Sequence, residues 1–461
     1  MAQTDEVKSG GLVQGLGLLD ATTIVMGSMI GSGVFIVAAD IARQVKSPGL
    51  LMLTWVITAV LTIIAALSYG ELAAMMPRAG GQYVYLREAF GPLSGFLYGW
   101  TFFTVIQTGT IAAVAVAFAK FLGVFVPSVS ASNWLFRLGP VGLNTQMIVA
   151  IAIIVLLTWV NTRGLRTGAL VQNVFTVAKI GALIGLVALG FALGRRPEAI
   201  AANFTDFWRM PGSLWDIVRL TGIAMVGALF SSDAWNNVTF TAGEIRNPKR
   251  NLPLSLALGV GIVSLIYLAC NTVYLMALPL SAIQNAAEDR VATAVISQIL
   301  GSSATQVMAI AVMISTFGCV NGLSLAGARV SFAMAQDGLF FKAAGRVDAK
   351  THAPVSALWM QCAWAAALTL TGRYNDLLDY VIFAVLLFYI LTIAGLFVLR
   401  RTRPTAERPY RAIGYPVLPA LYILVAGVIE ILLLIGKPSY TWPGLILVVL
   451  GVPVYYIWRP K

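Results

Sequence analysis

Gly27-Ser28-Met29-Ile30-Gly31-Ser32-Gly33-Val34-Phe35 places three glycines within seven residues inside the first long apolar stretch of the chain. A second interruption, Ser231-Ser232-Asp233, falls inside the sixth. A helix in a bilayer hydrogen-bonds its own backbone, so groups freed by a break must meet protein, water or a bound polar ligand. Glycine tolerates such a break and lets a ligand approach closely. If the helix opens over Ile30 to Gly33, the amides of Ser32 and Gly33 head the next half-helix and suit an anion such as a carboxylate. The carbonyl end of the preceding half-helix then suits an ammonium, so a zwitterion fits both. The same small residues also suit close packing between helices.

The sixth stretch reads Gly227-Ala228-Leu229-Phe230-Ser231-Ser232-Asp233-Ala234-Trp235-Asn236-Asn237. An aspartate near the centre of a span costs roughly 2.5–3.5 kcal/mol on insertion scales, so Asp233 faces water or a partner, or serves as a hydrogen-bond hub. Phe230 and Trp235 bracket the break and could close a site from one side, although single aromatics also serve as lipid-facing or core residues.

Hydrophobic residues make up 59% of the 461, charged residues 11%, and mean hydropathy is +0.84. That composition belongs to a polytopic membrane protein. Twelve stretches approach the ~20 apolar residues that a spanning helix needs: 15–40, 50–76, 92–125, 142–160, 167–193, 214–241, 253–279, 303–334, 354–371, 375–399, 414–436 and 441–458. Runs such as Ile148 to Val160 are apolar on every side, unlike barrel strands, which alternate. The expected fold is all-α.

No cleavable signal is expected before the first span, because Asp5, Glu6 and Lys8 lie there with no small-residue cleavage site. With the amino terminus in the cytoplasm, inner segments carry 18 Lys and Arg and outer loops nine. The positive-inside rule therefore puts both termini in the cytoplasm, and the net charge of +12 reads as topology rather than nucleic-acid binding. Cys270, Cys319 and Cys362 lie in apolar stretches and fit no metal spacing, so no metal or disulfide framework is expected. No phosphate loop is present, and no serine or cysteine near His352 suggests a hydrolase. No cofactor is indicated, and an enzyme is disfavoured.

Spans one to five (15–194) and six to ten (214–400) overlay as two sets of five, each opening with an interrupted helix. Because five is odd, the second set runs inverted; spans eleven and twelve (414–458) stand outside. Inverted repeats with broken helices are typical of secondary transporters, whose site lies near the midplane.

Three motifs, Ile30-Gly31-Ser32-Gly33-Val34-Phe35, Asp233-Ala234-Trp235-Asn236-Asn237 with Glu244-Ile245-Arg246-Asn247-Pro248, and Phe317-Gly318-Cys319-Val320-Asn321-Gly322, occur in order. Together they resemble the amino acid–polyamine–organocation (APC) superfamily, most of all the L-type amino acid transporters and their bacterial relatives. The likeness runs from about residue 15 to 458 and includes Pro409-Tyr410-Arg411 and Gly451-Val452-Pro453-Val454-Tyr455. It implies an inverted five-plus-five, LeuT-like fold exchanging amino acids by alternating access. By that resemblance the substrate carboxylate meets the backbone at Gly31, Ser32 and Gly33, beside Ile30. The amine meets carbonyls at Met29, Phe230 and Asp233. Phe230 is the outer gate, and Asn236 supports the unwound turn beside Ala234 and Trp235.

Ser232 and Ala234 stand where family members often have Tyr and Gly, so the shape of the side-chain pocket does not carry over from the resemblance. Animal members of the family join a single-span partner through a cysteine after span three; loop 126–141 has none, so no disulfide-linked ancillary subunit is expected. Lys179 lies about 18 Å into span five, too deep for easy snorkelling. The resemblance places it where sodium-coupled relatives of this fold hold sodium between spans one and eight. It reads as a fixed cation, with a proton carrier or simple packing as alternatives. Gln107 and Thr110 could line the side-chain pocket or bridge helices. Lys120 and Arg329 read as snorkelling residues, and Glu430 as a pairing or interface residue. The expectation is a sodium-independent exchanger of neutral L-amino acids in the inner membrane, surrounded by lipid. A proton-coupled symporter, or an exchanger that also accepts cationic amino acids, is the alternative. A channel would need a continuous polar path or filter ring.

Overall fold

Hydropathy fixes the helices, and chain breakers set their ends. The structure, a computed structural model, describes residues 12, 14–138, 141–209, 212–301, 303–370 and 374–458. Among them, eleven helices are long and apolar enough to cross a membrane. The first is broken: Leu18–Met29 stops, and Gly33–Ile36 resumes and runs on through Ala38–Val45. The sixth breaks likewise, between Leu214–Ser231 and Asn237–Phe240. The others include the second, Pro48–Met75, the fifth, Leu165–Leu193, the seventh, Pro248–Ala277, the eighth, Ala304–Gln336, and the tenth to twelfth, Tyr374–Thr402, Val417–Gly436 and Pro438–Trp458. The ninth expected span, 354–371, appears as Val355–Thr369, whose 15 residues are too few to meet that length. They reach about 22 Å, against a hydrocarbon core of roughly 30 Å.

Two local features depart from a bundle of uniform helices. The third span carries a π-helical turn at Phe102–Ile106, between Pro92–Thr101 and Gln107–Leu122. The loop that follows is not irregular: Trp134–Leu138 pairs antiparallel with Val141–Asn144, a small correction to the all-α expectation. This aromatic and β-branched run is too short to cross a bilayer, and pairing satisfies its backbone.

The half-helix Leu18–Met29 packs against the fifth, seventh and eighth spans, and the second span packs along the seventh. At one end of the bundle, Gly15 and Leu16 donate their amides to the Glu244 carbonyl at 3.0 Å, and Arg246 N donates to Leu16 O at 2.8 Å. Arg329 does not snorkel. It is 2% exposed and makes a bidentate pair with the Glu244 carboxylate at 2.9 Å for both bonds, which fastens the eighth span to the end of the sixth. At the opposite end, Arg43 donates to Gln284 O and Asp289, and Lys120 donates to Glu288 O at 2.6 Å. These bonds draw the first and third spans to segment 280–290.

Candidate substrate site at the two helix breaks

The first break frees a run of carbonyls, and side chains from three other spans meet each of them. Lys179 donates to Gly27 O at 2.6 Å and to Ile30 O at 2.7 Å; Cys319 Sγ donates to Ser28 O at 3.1 Å. The Tyr267 hydroxyl reaches Met29 O at 3.1 Å, and Ser315 Oγ reaches Gly31 O at 2.9 Å. Lys179 also lies 3.3 Å from Ser315 O, so the ammonium ties the fifth span to the first and eighth. The lysine is fully buried, and all three of its hydrogen bonds go to backbone carbonyls. This geometry suits a fixed cation at the end of a half-helix, where the dipole is negative.

The two breaks touch. A Cβ on Gly33 would lie 2.1 Å from Ser231 Oγ and 2.9 Å from Ser231 Cα, so only glycine permits this approach. Close packing and an amide-lined helix start therefore coincide at Gly33. Tyr267 joins the breaks a second time, lying 3.0 Å from Ser231 O as well as bonding Met29 O. Met29 O also accepts from Gly31 N at 2.9 Å, which leaves this carbonyl fully engaged in the closed form described here.

In the sixth span the turn passes through Ala234 at φ +62°. That left-handed conformation costs an alanine roughly 1–2 kcal/mol. Asp233 is buried and accepts a 2.7 Å hydrogen bond from the Tyr389 hydroxyl of the tenth span. Asn236 donates to Gln82 Oε1 at 2.9 Å, and Gln82 in turn donates to Phe388 O and Thr392. The unwound turn is thus braced from outside its own span. Trp235 packs edge-on against Tyr69, with ring centroids 4.8 Å apart, and Phe230 is buried in the last turn before the break.

Asp233, Tyr389 and Val385 line two small cavities. One of about 20 Å³ extends to Leu61 and Tyr422, and one of about 10 Å³ to Gln107 and Asn236. Both fall far below the few hundred Å³ of a small-molecule site, so the described form is closed. Neither is lined by Gly31, Ser32 or Gly33. Gln107 lines the second and bridges to the eighth span through Leu323 O at 2.6 Å. Thr110 instead turns back on Ile106 O of its own helix. Sequence reasoning did not single out Tyr267, Ser315, Tyr389 or Gln82, whose common signal is a polar group within or beside an apolar span.

A profile of the amino acid permease family matches residues 16–455. The chain belongs to the amino acid permease family. The permease is 30% identical to the human large neutral amino acids transporter small subunit 2, over 99% of its own length and 84% of that protein. It is 29% identical to the mouse Asc-type amino acid transporter 1, over 97% and 82% of the two chains. With the mouse b(0,+)-type amino acid transporter 1 it shares 28%, over 98% and 89%. These findings agree with the resemblance read from the motifs, and the permease is an integral multi-pass membrane protein.

Proposed function

We propose that the permease is a sodium-independent exchanger of neutral L-amino acids that works by alternating access in the inner membrane, with both termini cytoplasmic. It acts as a carrier rather than an enzyme and needs no disulfide-linked subunit. The single observation that carries this reading is the contact between the two breaks, Gly33 against Ser231, with Lys179 bound to the freed carbonyls of the first. A helix start and a set of helix ends then face one point, as a zwitterion requires. Residues 15–194 and 214–400 form the two inverted sets, and 414–458 flank them. The substrate carboxylate lies against the backbone at Gly31, Ser32 and Gly33, beside Ile30, and its amine against carbonyls at Met29, Phe230 and Asp233. Phe230 closes the outer side, while Asn236 holds the turn beside Ala234 and Trp235. Because Met29 O is engaged by Tyr267 and Gly31 in the closed form, amine binding displaces one of them.

Purified protein in liposomes tests this reading by counterflow. Labelled alanine or leucine enters only when unlabelled amino acid is inside, and choline replaces sodium without loss. Uptake that requires sodium, or that is indifferent to internal amino acid, overturns it. Strong competition by arginine supports the broader exchanger, since Asp233 sets a carboxylate beside both cavities.

A further inference from the structure

At the end of the bundle opposite the Glu244–Arg329 pair, three segments enclose a cleft of about 800 Å³. The end of the first span gives it Arg43 and Lys46, the segment after the fifth gives Asn203 and Arg209, and the segment after the seventh gives Ser281 and Gln284. Its volume lies in the range of a small-molecule site, roughly 300–1,000 Å³. None of its described lining residues is acidic.

Hydrogen bonds fix the walls. Asn203 is buried; its Nδ2 donates to Leu275 O at 2.7 Å and Leu278 O at 2.9 Å, and its Oδ1 accepts from Leu280 N at 2.9 Å. The helix Pro197–Phe204 is thereby fastened to the end of the seventh span. Gln284 donates to Ala42 O and Arg43 donates to Gln284 O, both at 2.9 Å, which holds the opposite wall. Arg43 is committed to Asp289 at 2.7 Å and lies 3.7 Å from Asp40. Lys46 and Arg209 are exposed and have no side-chain partner among the described residues. Lys46 also caps its helix at a left-handed φ of +51°, a position that favours glycine.

The cleft opens at the rim of the apolar surface. Gly49 N, at the start of the second span, donates to Phe207 O at 2.7 Å, and Trp208 packs edge-on against Phe207 with ring centroids 5.1 Å apart. Phe204 and Trp208 are exposed, as are Leu214 and Trp215 where the sixth span begins, and that span packs along Ala38–Val45. Exposed tryptophans beside helix ends mark the level of lipid headgroups. Two uncommitted cations at that level face phosphates. A dissolved anion gains nothing from the aromatic rim, whereas a lipid uses both features.

We propose that this cleft binds the headgroup of an anionic phospholipid, with its phosphate between Lys46 and Arg209 and its acyl chains along Trp208 and Trp215. The bound lipid bridges the second half of the broken first span to the segment before the sixth. The site is independent of what the carrier moves.

The test uses the full chain, purified in detergent and stripped of lipid. Dioctanoyl phosphatidylglycerol is the probe, with dioctanoyl phosphatidylcholine and inorganic phosphate for comparison. Native mass spectrometry counts bound lipid, and thermal unfolding reports its affinity. The wild type binds phosphatidylglycerol in preference to phosphatidylcholine. Lys46→Gln with Arg209→Gln binds it about 30-fold more weakly, while Lys46→Arg with Arg209→Lys retains it. Salt provides a readout that needs no variant: it weakens phosphatidylglycerol binding to the wild type and leaves phosphatidylcholine unaffected. Equal binding of the two lipids, salt-insensitive binding, or a neutralised variant that binds like the wild type overturns the proposal. Stabilisation by inorganic phosphate without phosphatidylglycerol binding assigns the cleft to a soluble oxyanion and overturns it too. All these outcomes leave the exchanger reading untouched.

Discussion

Replacing Lys179 with methionine removes the one side chain that meets two carbonyls of the first break from the fifth span. Ile30 O keeps Ser315 Oγ at 3.2 Å. Gly27 O loses its only side-chain donor, and its helical partner, Gly31 N, is already turned to Met29 O. A hydrogen bond to a charged group contributes roughly 1.5–3 kcal/mol, and an orphaned buried carbonyl costs about 1–3 kcal/mol. Against this, deleting a buried ammonium recovers several kcal/mol of desolvation. The two nearly cancel for global stability, so Lys179→Met should purify and unfold close to wild type. They do not cancel for the shape of the break. If binding needs that shape, losing about 2–3 kcal/mol there weakens substrate affinity roughly 30- to 150-fold. Counterflow of labelled alanine over a range of concentrations measures it, beside thermal unfolding with and without alanine. Wild-type affinity and rate in a well-folded Lys179→Met protein would refute the reasoning.

Three further outcomes are expected. Gly33→Ala should abolish exchange because its Cβ meets Ser231, and Gly33→Ala with Ser231→Gly should restore part of it; an active single variant contradicts the close approach. Glu244→Gln should lower the unfolding temperature of the solubilised protein, since breaking a buried pair with Arg329 costs about 3–5 kcal/mol, while Glu244→Leu with Arg329→Met should recover most of the loss. Asp233→Asn and Tyr389→Phe should reduce exchange of alanine, leucine and arginine alike, because the 2.7 Å bond between these residues braces the turn; a loss confined to arginine would instead assign Asp233 to charge recognition.

The bundle was legible because burial in a bilayer depends on local composition. Long runs such as Pro48–Met75 need no distant partner to be recognised. The breaks were legible for the same reason, since Gly31-Ser32-Gly33 and Ser232-Asp233 offend a local rule. The pairing of Trp134–Leu138 with Val141–Asn144 was not read from the sequence, because strand pairing depends on a partner that hydropathy does not see. Arg329 was taken for a snorkelling residue because its partner Glu244 lies 85 positions away.

The residues that satisfy the breaks show what a single sequence conceals. Each freed carbonyl needs one donor, yet any span can supply it, so chemistry specifies the type of partner and only topology specifies which. Lys179 stood out because a charge in a span is costly wherever it points. Tyr267 and Ser315 did not, since a hydroxyl in an apolar helix is cheap and often bonds its own backbone, as Thr110 does here. Their placement nevertheless constrains the transport cycle. Tyr267 OH lies 3.1 Å from Met29 O and 3.0 Å from Ser231 O, and one hydroxyl proton serves only one of them at a time. A substrate ammonium carries three donors and could take Met29 O without orphaning Ser231 O, because Tyr267 can turn to the latter. On the proposed reading, exchange of donors at this tyrosine would let an amino acid enter the junction of the two breaks without leaving a carbonyl unpaired.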